Sequence, residues 1–314
     1  MIRVLAMVAA SVCLCVLPAA RAGSVSMTEP VRPLKVVTLN LYHGGPFSGL
    51  LGDAQHLDRR LEMVARELRM LDPDIIGLQE ASESRQRGNV AARLAAQLGL
   101  QYVFAAANPR PFKSSRVNRL IASLLNFSEG PAIVTRFPIA AWESLDLPRC
   151  GRYADSRLLL HARLLSPWGG LDVFSTHTIG DRCQTGRVAQ LVRNRRGPFP
   201  SVLMGDFNAG EDSPAIAAIT QIGGLVDAFR TVNPSVPGLT VWQRIDAPTS
   251  MVKRRGDYLF VCPGTEYPGK VLSSRVVLNT PQHLPDGSVL WPSDHYGVLA
   301  RLEVFPPNRH ADGE

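Results

Sequence analysis

The chain has 314 residues, of which 45% are hydrophobic and 19% are charged, and its 34 basic and 27 acidic side chains give a net charge of +7. This composition is typical of a globular protein and excludes a chain too poor in apolar residues to bury a sizeable core. The basic balance favours anionic partners such as nucleic acid, a phospholipid surface or a phosphorylated small molecule, without choosing among them.

The first 22 residues have the organisation of a cleavable secretory signal. Arg3 precedes an apolar run from Val4 to Leu17, and the small-residue pattern Ala20-Arg21-Ala22 follows. The 14 residues of the run are fewer than the roughly 20 that a membrane-spanning helix needs, which makes an uncleaved anchor the weaker alternative. Cleavage after Ala22 would leave 32 basic and 27 acidic residues, a net charge of +5, in a secreted or periplasmic protein.

Periodic patterns of apolar residues predict strands and helices from residue 34 onwards. In chain order we predict a strand over 34–40, a helix over 57–71, a strand over 74–80, a helix over 90–98, strands over 102–106, 131–139, 156–165 and 171–178, a helix over 186–196, a strand over 202–206, a helix over 214–222, and strands over 258–262, 271–278 and 296–304. No repeat or Gly-, Ser- or Pro-rich linker divides this series. We therefore predict one α+β domain over residues 32–306, with two β-sheets packed face to face, helices outside, and disordered tails at 23–31 and 307–314.

Three cysteines remain if Cys13 and Cys15 leave with the signal, so one of them must be unpaired within a monomer. Cys150 and Cys183 lie in polar, loop-like stretches, whereas Cys262 ends the apolar run DYLFVC and is typical of a buried core thiol. We predict a disulfide between Cys150 and Cys183.

Polar side chains stand at the ends of several predicted strands. They are Asn40, Glu80, His177, Asp206, Asn208, Asp257, Asp294 and His295. Each has an ordinary explanation when taken alone, because Asn and Asp favour turns and caps and a single histidine carries little information. Strand ends on one rim of a sheet pair can converge in space, however, and together these residues predict a single cleft.

The same residues carry a resemblance to a known family. The motifs TLN with Asn40, LQE with Glu80, STH with His177, GDFN with Asp206 and Asn208, RGDY with Asp257, and SDH with Asp294 and His295 span residues 34 to 300. In this order they resemble the motif series of the endonuclease/exonuclease/phosphatase superfamily. His177 in STHT resembles the deoxyribonuclease and sphingomyelinase branches more than the abasic-site endonucleases. Pro131 in GPAI departs from the GNAI of many relatives and removes a backbone donor, which puts branch-specific properties in doubt.

The resemblance implies a four-layer α/β sandwich and hydrolysis of a phosphate ester with Mg²⁺, for which Mn²⁺ is a possible substitute. By similarity Glu80 binds the metal beside Asn40 and Asp294. The counterparts of Asp206 and Asn208 hold the attacking water and the phosphate, Asp257 pairs with His295, and His177 lies across the scissile phosphate. Mg²⁺ takes few carboxylates and keeps waters, which suits this donor set, and the absence of a Cys/His cluster argues against zinc. Which of His177, Asp206 and His295 is acid and which is base stays open.

Two basic clusters bear on the substrate. Arg110, Lys113 and Arg116 form one, and Lys253, Arg254 and Arg255 stand directly before Asp257. Basic runs are commonly solvated faces, but adjacency to the expected cleft favours a polyanion. We therefore predict an exported, monomeric nuclease. The alternatives are a sphingomyelinase-like phospholipid phosphodiesterase, an inositol-phosphate phosphatase and, in another class, a non-catalytic binding protein that keeps the fold.

Overall fold

The computed structural model describes residues 31–43, 55–107, 120, 124, 126–150 and 156–306. The expected signal, the tails up to residue 30 and from residue 307, and the basic residues Arg110, Lys113 and Arg116 lie outside these ranges. Within them, none of the helices is long and apolar enough to cross a membrane.

The described chain alternates strands with a small number of helices. The strands are β1 (Leu34–Asn40), β2 (Ile75–Ser84), β3 (Gly88–Asn89), β4 (Gln101–Phe104), β5 (Ser128–Thr135), β6 (Ile139–Asp146), β7 (Leu158–Ser166), β8 (Gly169–His177), β9 (Ser201–Asp206), β10 (Val226–Asp227), β11 (Asp257–Cys262), β12 (Lys270–Val277), β13 (Gln282–His283), β14 (Val289–Leu290) and β15 (Gly297–Glu303). The helices are α1 (Leu57–Leu71), α2 (Val90–Leu98), α3 (Arg182–Arg193), α4 (Pro214–Ala217), which continues as a π-helical turn over Ala218–Ile222, and α5 (Ala228–Val232).

These strands form two large mixed sheets and a small hairpin. The first sheet has the order β12-β15-β1-β2-β5-β4, with β3 paired to β2, and the second has the order β10-β11-β9-β8-β7-β6, while β13 pairs with β14. Each large sheet contains one parallel pair at its centre, β1 with β2 and β8 with β9. The carboxyl ends of these parallel strands therefore meet at a shared edge of each sheet.

The period-two alternation of side chains along each strand assigns one face of each sheet to the centre of the molecule. In β1, Leu34 and Val36 belong to the apolar cluster between the sheets, whereas Val37 and Leu39 pack with residues of α1 and α2. The outer face of the second sheet packs in the same way with residues of α3 and α4. The order is thus helices, sheet, sheet and helices, which confirms the predicted four-layer α/β sandwich.

The structure corrects the predicted elements where the chain changes layer. The predicted strand over 131–139 is wrong, because β5 ends at Thr135 in the first sheet and β6 begins at Ile139 in the second. The buried Phe137 and the exposed Pro138, which lacks a backbone donor, occupy the crossing. Helix α3 begins at Arg182 rather than 186, since Asp181 caps it by accepting a hydrogen bond from the Cys183 amide at 2.6 Å.

Candidate active site

The register of the strands explains why distant residues of the sequence meet. In the second sheet Asp206, the last residue of β9, lies opposite both His177 of β8 and Asp257 of β11. In the first sheet Asn40 is the last residue of β1 and lies beside the start of β15. His295 stands two residues before β15 in the sequence, so it lies near Asn40. The Asn40 amide donates a 3.0 Å hydrogen bond to Asp206 Oδ2, so the two sheets are joined at this edge.

His295 lies among carboxylates. Its Nδ1 is 3.0 Å from Asp257 Oδ2 and 3.8 Å from Asp206 Oδ2, and all three side chains are buried. Burial alone would lower the pKa of His295, but the charges of Asp257 and Asp206 outweigh it and raise the pKa to about 10. Burial, together with the charge of Asp257, raises the pKa of Asp206. The imidazole is therefore positively charged at neutral pH and points its Nε2 away from Asp257.

His177 has the opposite electrostatic setting. Burial first, and then the positive charge of Arg157, lower its pKa well below the ordinary value, so the ring is neutral. Its Nε2 accepts a 2.8 Å hydrogen bond from Asn208 Nδ2 and lies 3.5 Å from Asp206 Oδ2. Asn208 has a left-handed φ of 50°, and its backbone amide donates to Asp206 Oδ1 at 2.8 Å. This turn aims Asp206 and Asn208 at the same cleft.

Glu80 and Asp294 supply the carboxylate oxygens of a candidate metal site, and Asn40 lies beside them. The Asn40 amide donates to Glu80 Oε1 at 3.2 Å, and Glu80 has a left-handed φ of 51° at a bulge in β2, which turns its carboxylate into the cleft. Asp294 Oδ2 accepts a 2.8 Å hydrogen bond from Trp242 Nε1. Burial and then the nearby charge of Glu80 raise the pKa of Asp294 to about 6, although His295 opposes them. Hard oxygen atoms of this kind match the preferences of Mg²⁺.

Serine and threonine hydroxyls fix the backbone behind these groups. Ser293 Oγ donates to the Asn40 carbonyl at 2.6 Å and accepts a 3.3 Å hydrogen bond from the His295 amide. Thr240 Oγ1 accepts hydrogen bonds from the Gly256 and Asp257 amides at 3.0 and 3.1 Å. The strand ends are thus held by buried hydrogen bonds, in addition to the sheet ladders.

The basic residues of the second predicted cluster separate. Lys253 and Arg254 are exposed, and the backbone of Arg254 pairs with Val241, which also bridges His295. Arg255 is buried instead, and its guanidinium lies 2.9 Å from Asp227 and 3.2 Å from Glu211. Strand β11 begins two residues after Arg255, so this side chain already lies in the buried part of the chain, whereas Lys253 and Arg254 face solvent.

Arg157 is a further candidate site residue. Its charge lowers the pKa of both His177 and Glu129, which places it beside the cleft, and its buried Nε has no hydrogen-bond partner among the described residues. A single arginine before an apolar strand carries no pattern that would mark it.

A cavity of about 570 Å³ adjoins the candidate metal site and was also missed. Tyr42, Trp242, Gln243 and Arg244 line it together with Asp294, and the Trp242 side chain is half exposed. It forms from loops far apart in sequence, which gives no local signal.

The structure pairs Cys150 with Cys183 in a disulfide and leaves Cys262 as a buried thiol. Both features agree with the sequence prediction.

Comparisons with known proteins agree with this architecture. The model of the Endonuclease/Exonuclease/phosphatase family matches residues 37–295. A family protein from Bacteroides thetaiotaomicron has a similar structure, with a TM-score of 0.66 and 18% sequence identity over 91% of this chain and 99% of that one. The mannosyl-6-phosphatase of B. thetaiotaomicron VPI-5482 is also similar, with a TM-score of 0.65 and 21% identity over 87% of this chain and 100% of that one. A third similar structure is TDP2 of D. rerio, solved with a single-stranded DNA product, with a TM-score of 0.60 and 15% identity over 87% of this chain and 99% of that one. A search of curated protein sequences gives no significant match. From the family match and the geometry together, the chain belongs to the Endonuclease/Exonuclease/phosphatase family and is a phosphoester hydrolase.

Proposed function

We propose that this phosphoester hydrolase is an exported, Mg²⁺-dependent phosphodiesterase that cleaves nucleic acid. The observation that carries the proposed chemistry is the placement of His295 between Asp257 and Asp206 on the rim that also carries Glu80 and Asp294. Three kinds of group therefore surround one cleft. They are a positively charged hydrogen-bond donor, a carboxylate that can orient a water molecule, and oxygen atoms that can bind a cation.

The residues present suit Mg²⁺. Glu80 and Asp294 are close enough for one charge to raise the pKa of the other, and Asn40 adds an amide to the set. A bound divalent ion would polarise the phosphate and offset its developing charge. In this proposal Glu80, Asn40 and Asp294 hold the ion.

The remaining side chains would act on the phosphate and the water. His295 is held as an imidazolium by Asp257, so it donates a proton or a hydrogen bond to a phosphate or leaving-group oxygen. Asp206, whose pKa is raised by burial, is suited to accept a proton from the attacking water. Neutral His177 and Asn208 lie within 2.8 Å of each other and orient the phosphate. Arg157 contributes positive charge beside His177.

Three observations support nucleic acid and export. Lys253 and Arg254 are exposed on the loop that leads to Asp257, and the chain is basic overall. The similarly folded TDP2 was solved with a single-stranded DNA product. The secretory features of residues 1–22 and the disulfide fit an oxidising compartment outside the cytosol.

A small phosphate ester is the second candidate. The cavity beside Asp294 is about 570 Å³, a size suited to one small molecule rather than a duplex. Its lining combines the Tyr42 and Trp242 rings with the polar Gln243 and Arg244. One of the similar structures is a mannosyl-6-phosphatase.

The deciding experiment compares substrates with Mg²⁺ and with chelator. Purified protein is given supercoiled DNA, RNA, sphingomyelin vesicles, an inositol phosphate and mannose 6-phosphate. We expect cleavage of nucleic acid, and a turnover at least about 10²-fold lower for His295→Ala. Turnover confined to a small phosphate ester would establish the second candidate. Near-normal activity of His295→Ala would contradict the proposed site.

A further inference from the structure

A second group of potential metal ligands adjoins the proposed catalytic site. His43, Glu80 and Glu129 each point one ligand atom toward the others, and these atoms all lie within 4.8 Å of one another. His43 Nε2 is 2.7 Å from Glu129 Oε2 and 3.3 Å from Glu80 Oε2. One ring nitrogen therefore faces two carboxylates.

The convergence on one nitrogen distinguishes this group from an ordinary ion-paired histidine. His161 also lies between two carboxylates, but its Nδ1 contacts Glu143 at 3.1 Å and its Nε2 contacts Asp172 at 2.9 Å. Each nitrogen of His161 thus has its own partner, and the carboxylates stand on opposite sides of the ring. Around His43 the two carboxylates share a single nitrogen, which can supply only one proton between them.

The surroundings favour an ion at this point. Glu129 Oε2 is fully buried, and it accepts no hydrogen bond of ordinary geometry from the described residues despite its short contact with His43. Two carboxylates around one imidazole nitrogen concentrate negative charge in a partly buried place, which the charges of His43 and Arg157 offset in part and a bound cation would offset further. The Phe127 ring, 5.0 Å from the His43 ring between centroids, packs beside the imidazole.

We propose that His43, Glu80 and Glu129 bind a second divalent cation, of the Mn²⁺ type, beside the catalytic metal site. An imidazole nitrogen with two carboxylate oxygens suits a first-row transition ion better than Mg²⁺, which prefers oxygen ligands alone. Three protein ligands leave open positions for water or a substrate oxygen. The inference rests on the proposed function only through Glu80.

Glu80 would connect the two sites. Its Oε1 contacts Asn40 on the catalytic side, while its Oε2 contacts both the backbone amide and the ring of His43. A carboxylate with its two oxygens directed to different sides can bridge a pair of cations, an arrangement known from phosphoester hydrolases with two metals. The left-handed backbone of Glu80 places its side chain between the two groups.

The test measures Mn²⁺ binding by electron paramagnetic resonance in an excess of Mg²⁺, which occupies the all-oxygen site. We expect the wild type to retain one tightly bound Mn²⁺. His43→Ala and Glu129→Gln should each weaken its affinity at least about tenfold, since loss of a mere outer-shell partner already costs 10- to 100-fold. Glu143→Gln and His161→Ala are matched controls, because they alter the other histidine between two acids, and they should leave Mn²⁺ binding unchanged.

Circular dichroism checks that each variant is folded, and Glu129→Gln preserves the shape of the side chain if His43→Ala does not fold. Failure of the wild type to retain Mn²⁺, or equal affinities in wild type and Glu129→Gln, would overturn the proposal. The readout requires no turnover. If the protein binds Mn²⁺ here but hydrolyses no phosphate ester, the second metal site is supported and the proposed function is refuted. If the protein is a Mg²⁺-dependent phosphodiesterase that retains no Mn²⁺, the proposed function is supported and the second metal site is refuted.

Discussion

Asp257 controls the charge of His295. The carboxylate lies 3.0 Å from Nδ1 and is the largest influence that raises the pKa of His295 from 6.5 to about 10. Because the folded-state value is the higher one, this pairing stabilises the fold fully below about pH 6.5, and the contribution is lost as the pH rises through about 10. Asp257→Asn should lower the pKa of His295 and weaken that pH dependence, while the charge of Asp206 still raises the pKa.

Histidine resonances followed by NMR in the presence of chelator would measure this shift, and urea unfolding across the same pH range would measure the stability. His161 serves as an internal control, since its ring contacts Glu143 and Asp172 rather than Asp257. An unchanged His295 titration in the variant would contradict the assignment.

Arg157 is the second residue whose charge is open to test. Hydrogen bonds to charged groups contribute roughly 1.5–3 kcal/mol, so Arg157→Ala should lower kcat/KM for a phosphate ester by about 10- to 100-fold. Arg157→Lys keeps the positive charge but lacks the planar guanidinium group, and it should recover part of the lost kcat/KM. Arg163 lies on β7, the strand that follows Arg157, and pairs with Asp172, so Arg163→Ala should leave kcat/KM unchanged. Equal effects of the two alanine variants would exclude a specific role for Arg157.

At the scale of elements, buried Arg60 of α1 joins two loops that carry site residues. Its guanidinium donates to the carbonyls of Leu41 and Tyr42 after β1, at 2.9 and 2.8 Å, and to that of Pro292 before β15 at 3.3 Å. Arg60→Met would leave these buried carbonyls without their donor. We expect a loss of at least about 2 kcal/mol in the free energy of unfolding, measured by urea denaturation. The exposed Arg66→Met on the same helix is the control and should change stability little.

The elements that the sequence predicted best are those with a regular apolar pattern, since the predicted limits of β1, α1 and α2 are the observed ones. The strands β9 and β11 are buried apolar runs with an aspartate at one end, and their predicted limits differ from the observed ones by a single residue. Strand β6 was missed because it is an edge strand that is largely exposed, so its IAAWESLD sequence lacks an apolar pattern. Periodicity reports burial, and it fails where a strand is not buried.

The same limit explains which parts of the candidate site were found. Asn40, Glu80 and Asp206 follow strand patterns directly, so their position on a rim could be inferred from the chain itself. Arg157 and His43 acquire their meaning only from side chains that other elements bring to them, such as His177 and Glu129. The buried state of Arg255 depends on Asp227 and Glu211, which the sequence does not mark as its partners.

At the scale of the whole molecule, the site lies across the seam between the two sheets. Asn40 and Glu80 belong to the first sheet, while Asp206 belongs to the second. The sheets approach closely behind them, since a Cβ on Gly77 would lie 2.6 Å from the Met204 Cβ. Gln79 crosses the same gap and donates to Ser175 Oγ at 3.2 Å. The geometry of catalysis therefore depends on how the two sheets pack.

The disulfide acts on the outer layer of this assembly. Cys150 and Cys183 are 33 residues apart in sequence and tie the segment after β6 to the start of α3, where Gln184 also donates to the Pro148 carbonyl at 3.1 Å. Closing a loop of that length stabilises a fold by about 3 to 4 kcal/mol through the unfolded state. Replacing both cysteines with serine should lower the free energy of unfolding by this amount.

Reductant should lower the stability of the wild type equally and leave the double variant unaffected, because Cys262 is a buried free thiol.

Helix α3 follows β8 within a few residues, and Gly180 in that connection packs against the Asn208 carbonyl. Loss of the disulfide should therefore loosen the His177 and Asn208 side of the cleft before the Glu80 side. Hydrogen exchange of the two rims would show this order, and uniform loosening of both would mean that the disulfide stabilises the fold without positioning the site.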